Sequence, residues 1–483
     1  MKRIIKKTVF ISIAFVAGLF LYSCYFTGVG GRGSIALRFS EVSPKSARAA
    51  SSTTYARVYL IANGEIYPIG DGTDYVETSL SGTSATEVEI PDVPVGPQYQ
   101  VTISIGDKPT VDADFLEVTE YGASDPFSIT PGGTTDVSLT PTASPFSLYL
   151  GGTELKGVIY NTADSTLYVV SGTRLYMGAS VSGMDTGTLL PTGYSANSIS
   201  LGTFFGGAAP KDEPWIDTNM GILPYRNGAF QEDFFSGTIS SGTKPSILQS
   251  GGVWVNSNVD LTVFYQRDGG LGGTYIASDN ASTPSNWNWL DIDLSDVLTG
   301  RPILDFFVTA NYAYFATKLG AFRLDTKMIQ DYSVNTSNVP DLMSYADFFK
   351  VTDSNGNEIP IISLGYDNGT KIVMGTEAGA YMAELDEASA DTPLKAGTIS
   401  LLEGTGDYEI TRVSVSPDGA YIALFSEKDL FVYRQSTGTI VKLPFYSGLP
   451  GEITGAAWMP DNKTLVITGE DGMVSVDVTG LGL

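Results

Sequence analysis

Histidine is absent from all 483 residues, and cysteine occurs once, as Cys24. Without imidazole the chain cannot assemble a Ser-His-Asp triad, a His-liganded zinc site or the usual general base of neutral pH. A single thiol excludes an intrachain disulfide and any cysteine-based metal cluster. Charged residues are scarce, at 17%, and unbalanced, with 28 Lys and Arg against 53 Asp and Glu and a net charge of −25. Such a surface repels nucleic-acid phosphates and anionic lipid headgroups, so no nucleic-acid partner is expected. Its simplest role is solubility. Helix-forming runs of Lys, Glu and Leu are rare.

What the chain does have is turn and strand chemistry. It carries 54 Gly and 24 Pro, and 42% of its residues are apolar and 11% aromatic. Tyr, Val, Thr and Ser are plentiful, the usage of an all-β protein with many turns. The apolar share is enough to bury a core.

The N-terminal stretch "MKRIIKKTVFISIAFVAGLFLYSC" has a basic start and then 15 uncharged residues, Thr8 to Tyr22. A bilayer-spanning helix needs ~20 residues, so this length fits the apolar region of a secretory signal better than a permanent span. Leu21-Tyr22-Ser23-Cys24 resembles the lipobox of bacterial lipoproteins. Leu21 and Ser23 match its pattern, and Tyr22 departs from it, since small or β-branched residues are commoner there. The resemblance implies cleavage before Cys24, a diacylglycerol on its thiol and an acyl chain such as palmitate on the new amine. Two or three acyl chains anchor a protein stably, each buried methylene giving ~0.8 kcal/mol. On this reading residues 1–23 are signal and 24–33 a lipidated tether.

Residues 34–143 read as short strands with turns every 8–12 residues, the rhythm of a β-sandwich. Within them "VEIPDVPVGPQYQVTISI" resembles the edge of prealbumin-like and Ig-like sandwiches. That resemblance implies a spacer or an adhesive module.

Residues 144–483 repeat. Five stretches, 157–178, 305–326, 362–385, 413–434 and 456–478, share one order: apolar strand, Asp/Asn/Gly turn, strongly apolar strand, short polar turn, third strand. Weaker copies fit at 214–231 and 251–277. A period of about 48 residues suits four-stranded blades packed around an axis. The expected fold is therefore all-β, an N-terminal sandwich followed by a β-propeller of seven blades, with six or eight left open. "SPDG" (416–419) and "MPDN" (459–462) make the last units resemble bacterial WD40-like repeats, a likeness that carries no partner with it.

Candidate chemistry is thin. Asp353, Asn355 and Asn357 alternate as in a calcium loop, but the Gly falls at position 4 and no Glu closes the loop; a polar turn is the better reading, and no metal site is expected. In "NWNWLDIDLSD", Trp287, Trp289, Asp291 and Asp293 share one strand register. Paired Trp with carboxylates can bind a sugar ring or a cation, although a Trp pair covering a seam between blades is the better reading, since large aromatics are ordinary propeller core. No catalytic residue is identified, and no cofactor beyond lipid on Cys24.

The reading is thus a monomeric binding or scaffolding protein of the bacterial cell envelope, outer membrane or surface, held by its lipid and facing an envelope protein or glycan. Two alternatives stay open: an outer-membrane assembly factor, and a carbohydrate-active enzyme using carboxylates at the propeller channel.

Overall fold

A computed structural model describes residues 31–39, 53–69, 72–80, 86–96, 98–110, 113–204, 211–232, 246–255, 258–267, 270–278, 288–293, 303–309, 311–317, 320–325, 346–353, 355–367, 369–389 and 392–483. Leu21, Tyr22, Ser23, Cys24 and Trp287 lie outside the described residues. The described chain is all-β: its helical pieces are 3₁₀ turns of three or four residues, such as Val181–Gly183 and Val478–Leu481. Among the described residues no helix is long and apolar enough to cross a membrane. The chain divides into two compact units, 1–144 with 446–448, and 145–445 with 449–483.

The first unit holds two sheets with a common core. In the smaller, Arg32–Phe39 runs antiparallel to Thr86–Pro94 and parallel to Thr134–Leu139. In the larger, Thr53–Ala62 and Tyr99–Lys108 pair at the centre. Alternation decides which side chains meet: Ile35, Leu37 and Phe39 face Val58, Leu60, Val101, Ile103 and Ile105, all buried. The Pro- and Gly-rich turn before Tyr99 is clamped by that residue, whose hydroxyl donates to the Pro94 carbonyl at 3.0 Å. On the larger sheet Glu77 takes hydrogen bonds from both Arg57, at 2.8 Å, and Lys108, at 2.7 Å.

The second unit contains, among the described residues, seven four-stranded antiparallel sheets. Their first strands are Leu155–Asn161, Ala196–Phe204, Ser246–Val255, Ile303–Val308, Ile361–Tyr366, Arg412–Val415 and Ile453–Trp458, numbered here as sheets 1 to 7. Six are meanders of consecutive strands. In sheet 7 the outermost place is taken by Phe146–Tyr149, which precedes sheet 1 in sequence and pairs with Gly472–Asp477. The first strand of each sheet lies beside that of the next, and the first strand of sheet 7 lies beside that of sheet 1.

This arrangement explains the uninterrupted apolar second strands. Tyr312–Thr317, Lys371–Thr376, Tyr421–Phe425 and Thr464–Gly469 are buried along nearly their whole length, because each sheet is covered on both faces. The cores lie between sheets: Val373 and Ala380 of sheet 5 meet Ile422, Leu424 and Phe431 of sheet 6, and Phe425, Leu430 and Val432 of sheet 6 meet Leu465, Ile467 and Val474 of sheet 7.

The turns between the first and second strands of sheets 1, 5, 6 and 7 share one device. Asp164, Asp367, Asp418 and Asp461 each accept a backbone N–H two residues on, from Thr166, Gly369, Ala420 and Lys463. The intervening residue is left-handed where it is Ser165, Gly419 or Asn462. A short carboxylate that bonds its own backbone fixes such a turn, so "SPDG" and "MPDN" are hairpin chemistry.

The weaker copy at 214–231 begins inside the second strand of its sheet, Lys211–Thr218. The first strand, Ala196–Phe204, is "ANSISLGTF", too polar and small to announce itself.

Candidate functional site

One register position recurs in all seven first strands. Gly157, Ser198, Gln249, Asp305, Ser363 and Gly455 pair near the start of the first ladder of their sheets with Val170, Asp217, Phe264, Ala316, Gly375 and Thr468, and in sheet 6 Arg412 opens the ladder opposite Phe425. A one-residue irregularity precedes the position in six of the seven strands. Bulges of this kind interrupt pairing and re-aim side chains. The position therefore takes small or polar residues, and only two of them are charged: Asp305 in sheet 4 and Arg412 in sheet 6, with Ser363 of sheet 5 between.

The first strands are also sheet edges, and their inner margin surrounds a cavity of about 640 Å³ in the second unit. Its walls include Asp305, Phe307, Ser363, Tyr366, Arg412 and Thr454, together with Lys156 and Asp217. Small residues bring the strands close. A Cβ on Gly365 would sit 2.5 Å from the Val413 side chain, and one on Gly455 would sit 2.9 Å from the Gly157 Cα.

Asp305 ties two sheets together. Its Oδ1 accepts the N–H of Phe306 and its Oδ2 the N–H of Leu364, each at 2.8 Å. The second bond caps an edge N–H of sheet 5 that no strand pairs. Its carboxyl is pushed up to about 6 by burial, against the pull of those two N–H groups and of the Arg412 charge. Arg412 lines the cavity and is exposed to it. The protein around it holds its guanidinium below the usual value, with Asp305 pulling the other way. Even so it stays charged, as arginine does in proteins. Its guanidinium makes no hydrogen bond or ion pair with another described residue. By contrast Lys156 pairs with Glu154. The Ser363 hydroxyl is buried and has no partner in the structure.

One wall is aromatic. The Phe307 ring stacks on Tyr314, 4.7 Å away, and on Tyr366, 5.2 Å away, which joins sheets 4 and 5. Behind it the wholly buried Arg323 donates to the Asp347 carboxylate and to the carbonyls of Asp386 and Ser389, while stacking on Tyr312. Those bonds hold the loop after Gly379–Glu384 in place.

The residues singled out from sequence lie elsewhere. Trp289, Asp291 and Asp293 are on Asn288–Asp293, the fourth strand of sheet 3, opposite Ile276, Thr274 and Gly272; the cavity is bordered by first strands. Asp353 accepts the backbone N–H groups of Asn355 and Asn357 and the Asn357 side-chain amide, each at 2.8 Å, so its carboxylate is spent inside its own turn. Among the described residues no three His, Cys, Asp or Glu side chains converge as metal ligands. Sequence reading missed Asp305 and Arg412. The available signal was a charged residue inside an otherwise apolar strand, in "ILDFFV" and "TRVSV", at a fixed distance before the turn.

No family model matches the chain, and no curated protein matches it. Among solved structures it is similar to PorZ, a bacterial surface component of the type-IX secretion system of Porphyromonas gingivalis, at 13% identity and a TM-score of 0.47, covering 78% of this chain and 55% of that one. It is similar to the extracellular domain of BT4673 from B. thetaiotaomicron, at 13% identity and a TM-score of 0.45, covering 68% and 39%. A third is the β-propeller domain of Cps50 (Swd1) from Myceliophthora thermophila, at 13% identity and a TM-score of 0.46, covering 69% and 99%. The chain thus spans about half the length of the PorZ chain and less than half of the BT4673 extracellular domain. At this level of likeness the fold rests on the sheets themselves.

Proposed function

We propose that this chain is a lipid-anchored protein of the bacterial cell envelope whose second unit, a seven-bladed β-propeller, offers a rigid binding or scaffolding surface to a protein or glycan. The first unit is then an Ig-like or prealbumin-like sandwich that serves as a spacer, and Cys24 carries the lipid. The observation that carries the reading is the succession of first strands. Each sheet flanks the next, sheet 7 flanks sheet 1, and Phe146–Tyr149 supplies the last strand of sheet 7. Closure of this kind removes exposed sheet edges and makes a disc whose loops can vary without disturbing the core.

A binder fits the cavity's chemistry better than a hydrolase. Among the described residues two acids line it, but Asp217 is buried and already has a partner, and both oxygens of Asp305 are held by backbone N–H groups. A glycosidase needs one carboxyl free to give a proton and another free to attack or activate water.

The test is affinity capture from detergent-solubilised envelopes alongside glycan-array binding. Retention of a specific protein or glycan without cleavage supports the reading. Recovery of no partner together with glycan cleavage overturns it in favour of the enzyme.

A further inference from the structure

We propose that the cavity of the second unit is a binding site for a small organic monocarboxylate, held by the Arg412 guanidinium beside the Asp305 carboxyl. The inference concerns a ligand inside the ring of first strands and stands independently of the lipid anchor and of any partner on the outer surface.

Two observations point the same way. The first is the unspent donor capacity of Arg412. A guanidinium offers a planar fork of N–H groups that matches a carboxylate or phosphate with two parallel bonds. Here Arg412 lines a cavity and meets no described acceptor, whereas the neighbouring Lys156 is paired with Glu154. The second is size: about 640 Å³ lies within the range of ~300–1,000 Å³ usual for small-molecule sites. The stacked Phe307 and Tyr366 give it an apolar side.

Asp305 opposes an anion at Arg412 when ionised. Among the described residues, the titratable or charged groups lining the cavity are Lys156, Asp217, Asp305, Tyr366 and Arg412. Attraction to Arg412 and repulsion by Asp305 both double for a doubly charged anion, so charge does not choose between a carboxylate and phosphate. The apolar side formed by Phe307 and Tyr366 does, favouring an organic carboxylate over inorganic phosphate. Because burial raises the Asp305 carboxyl to about 6, acidification removes that opposition, so binding tightens as pH falls.

The experiment is calorimetric titration of the detergent-solubilised full-length protein with acetate, benzoate, galacturonate and inorganic phosphate, at pH 5 and pH 8. At least one monocarboxylate binds, about tenfold more tightly at pH 5, and phosphate binds more weakly at pH 8. Arg412→Gln abolishes the binding and Arg412→Lys weakens it, with thermal melts showing both variants folded. Asp305→Asn retains the binding and loses its pH dependence. If no monocarboxylate binds the wild type, if Arg412→Gln binds as well as wild type, or if phosphate is preferred at pH 8, the proposal is wrong. Such a result leaves the outer-surface reading untouched, since that is read by partner capture.

Discussion

The side chain of Asp305, in the first strand of sheet 4, accepts the backbone N–H of Leu364, in the first strand of sheet 5, at 2.8 Å. One carboxylate oxygen thus does what a fifth strand would otherwise do, satisfying an edge N–H that the sheet leaves over. The bond costs burial of an acid, and that cost is legible in pH.

Burial raises the Asp305 carboxyl to about 6, above its value in the unfolded chain. The folded state therefore binds the extra proton, and this group's contribution to stability is greatest below pH 4 and is lost as pH rises from 4 through 6. The size of the change is ~3 kcal/mol. Other carboxylates act in the opposite sense, so the informative quantity is the difference between wild type and Asp305→Asn. By urea unfolding from pH 4 to pH 7, wild type loses stability relative to the variant. The variant's absolute gain at pH 7 is smaller, because an amide can accept only one of the two N–H groups at a time. A difference that does not vary with pH contradicts the assignment.

Sheets 7 and 1 approach through glycine. A Cβ on Gly455 would lie 2.8 Å from Thr468 Oγ1 and 2.9 Å from both Gly157 Cα and Val158 N. Two of those three atoms are backbone and cannot swing away. Gly455→Ala therefore pushes first strands apart and destabilises by ~1–3 kcal/mol. Gly480→Ala, where nothing lies within 4 Å, is the control and changes stability by less than about 0.5 kcal/mol. Equal melting temperatures for the two variants would sink the close-approach account.

Phe146 leads the strand that completes sheet 7, opposite Val476, and it is buried in the core shared with sheet 6. Phe146→Ala leaves a cavity there and loosens the strand, at a cost of ~3–5 kcal/mol. Chemical denaturation measures it, and a loss below about 1 kcal/mol means that the strand is a passive addition to a sheet that is stable without it.

Much of this architecture was legible because it depends on sequence-local chemistry. Second strands buried on both faces must be apolar throughout, as in "YIALF" (421–425), and an Asp followed by a left-handed residue marks the hairpins of sheets 1, 6 and 7, as in "SPDG". The first strands hid themselves. They meet their neighbours backbone to backbone and border a cavity, so they carry Gly, Ser and single charges, and "ANSISLGTF" reads as loop. Asp305 and Arg412 are 107 residues apart in sequence, and only the register of separate sheets brings them to one level. The Trp and Asp residues at 287–293 stand out because they are neighbours in sequence, and Trp289, Asp291 and Asp293 fall on a fourth strand rather than a first.

The account's central claim, a binding head fixed to a membrane by fatty acids, is tested most directly by mass spectrometry of the mature protein's N-terminal peptide. The predicted result is a chain beginning at Cys24, with a diacylglyceryl group on its sulfur and an acyl group on its amine, and release of the Cys24→Ser variant from the membrane fraction. A mature protein whose Cys24 carries a free thiol, or from which residue 24 has been removed, contradicts it.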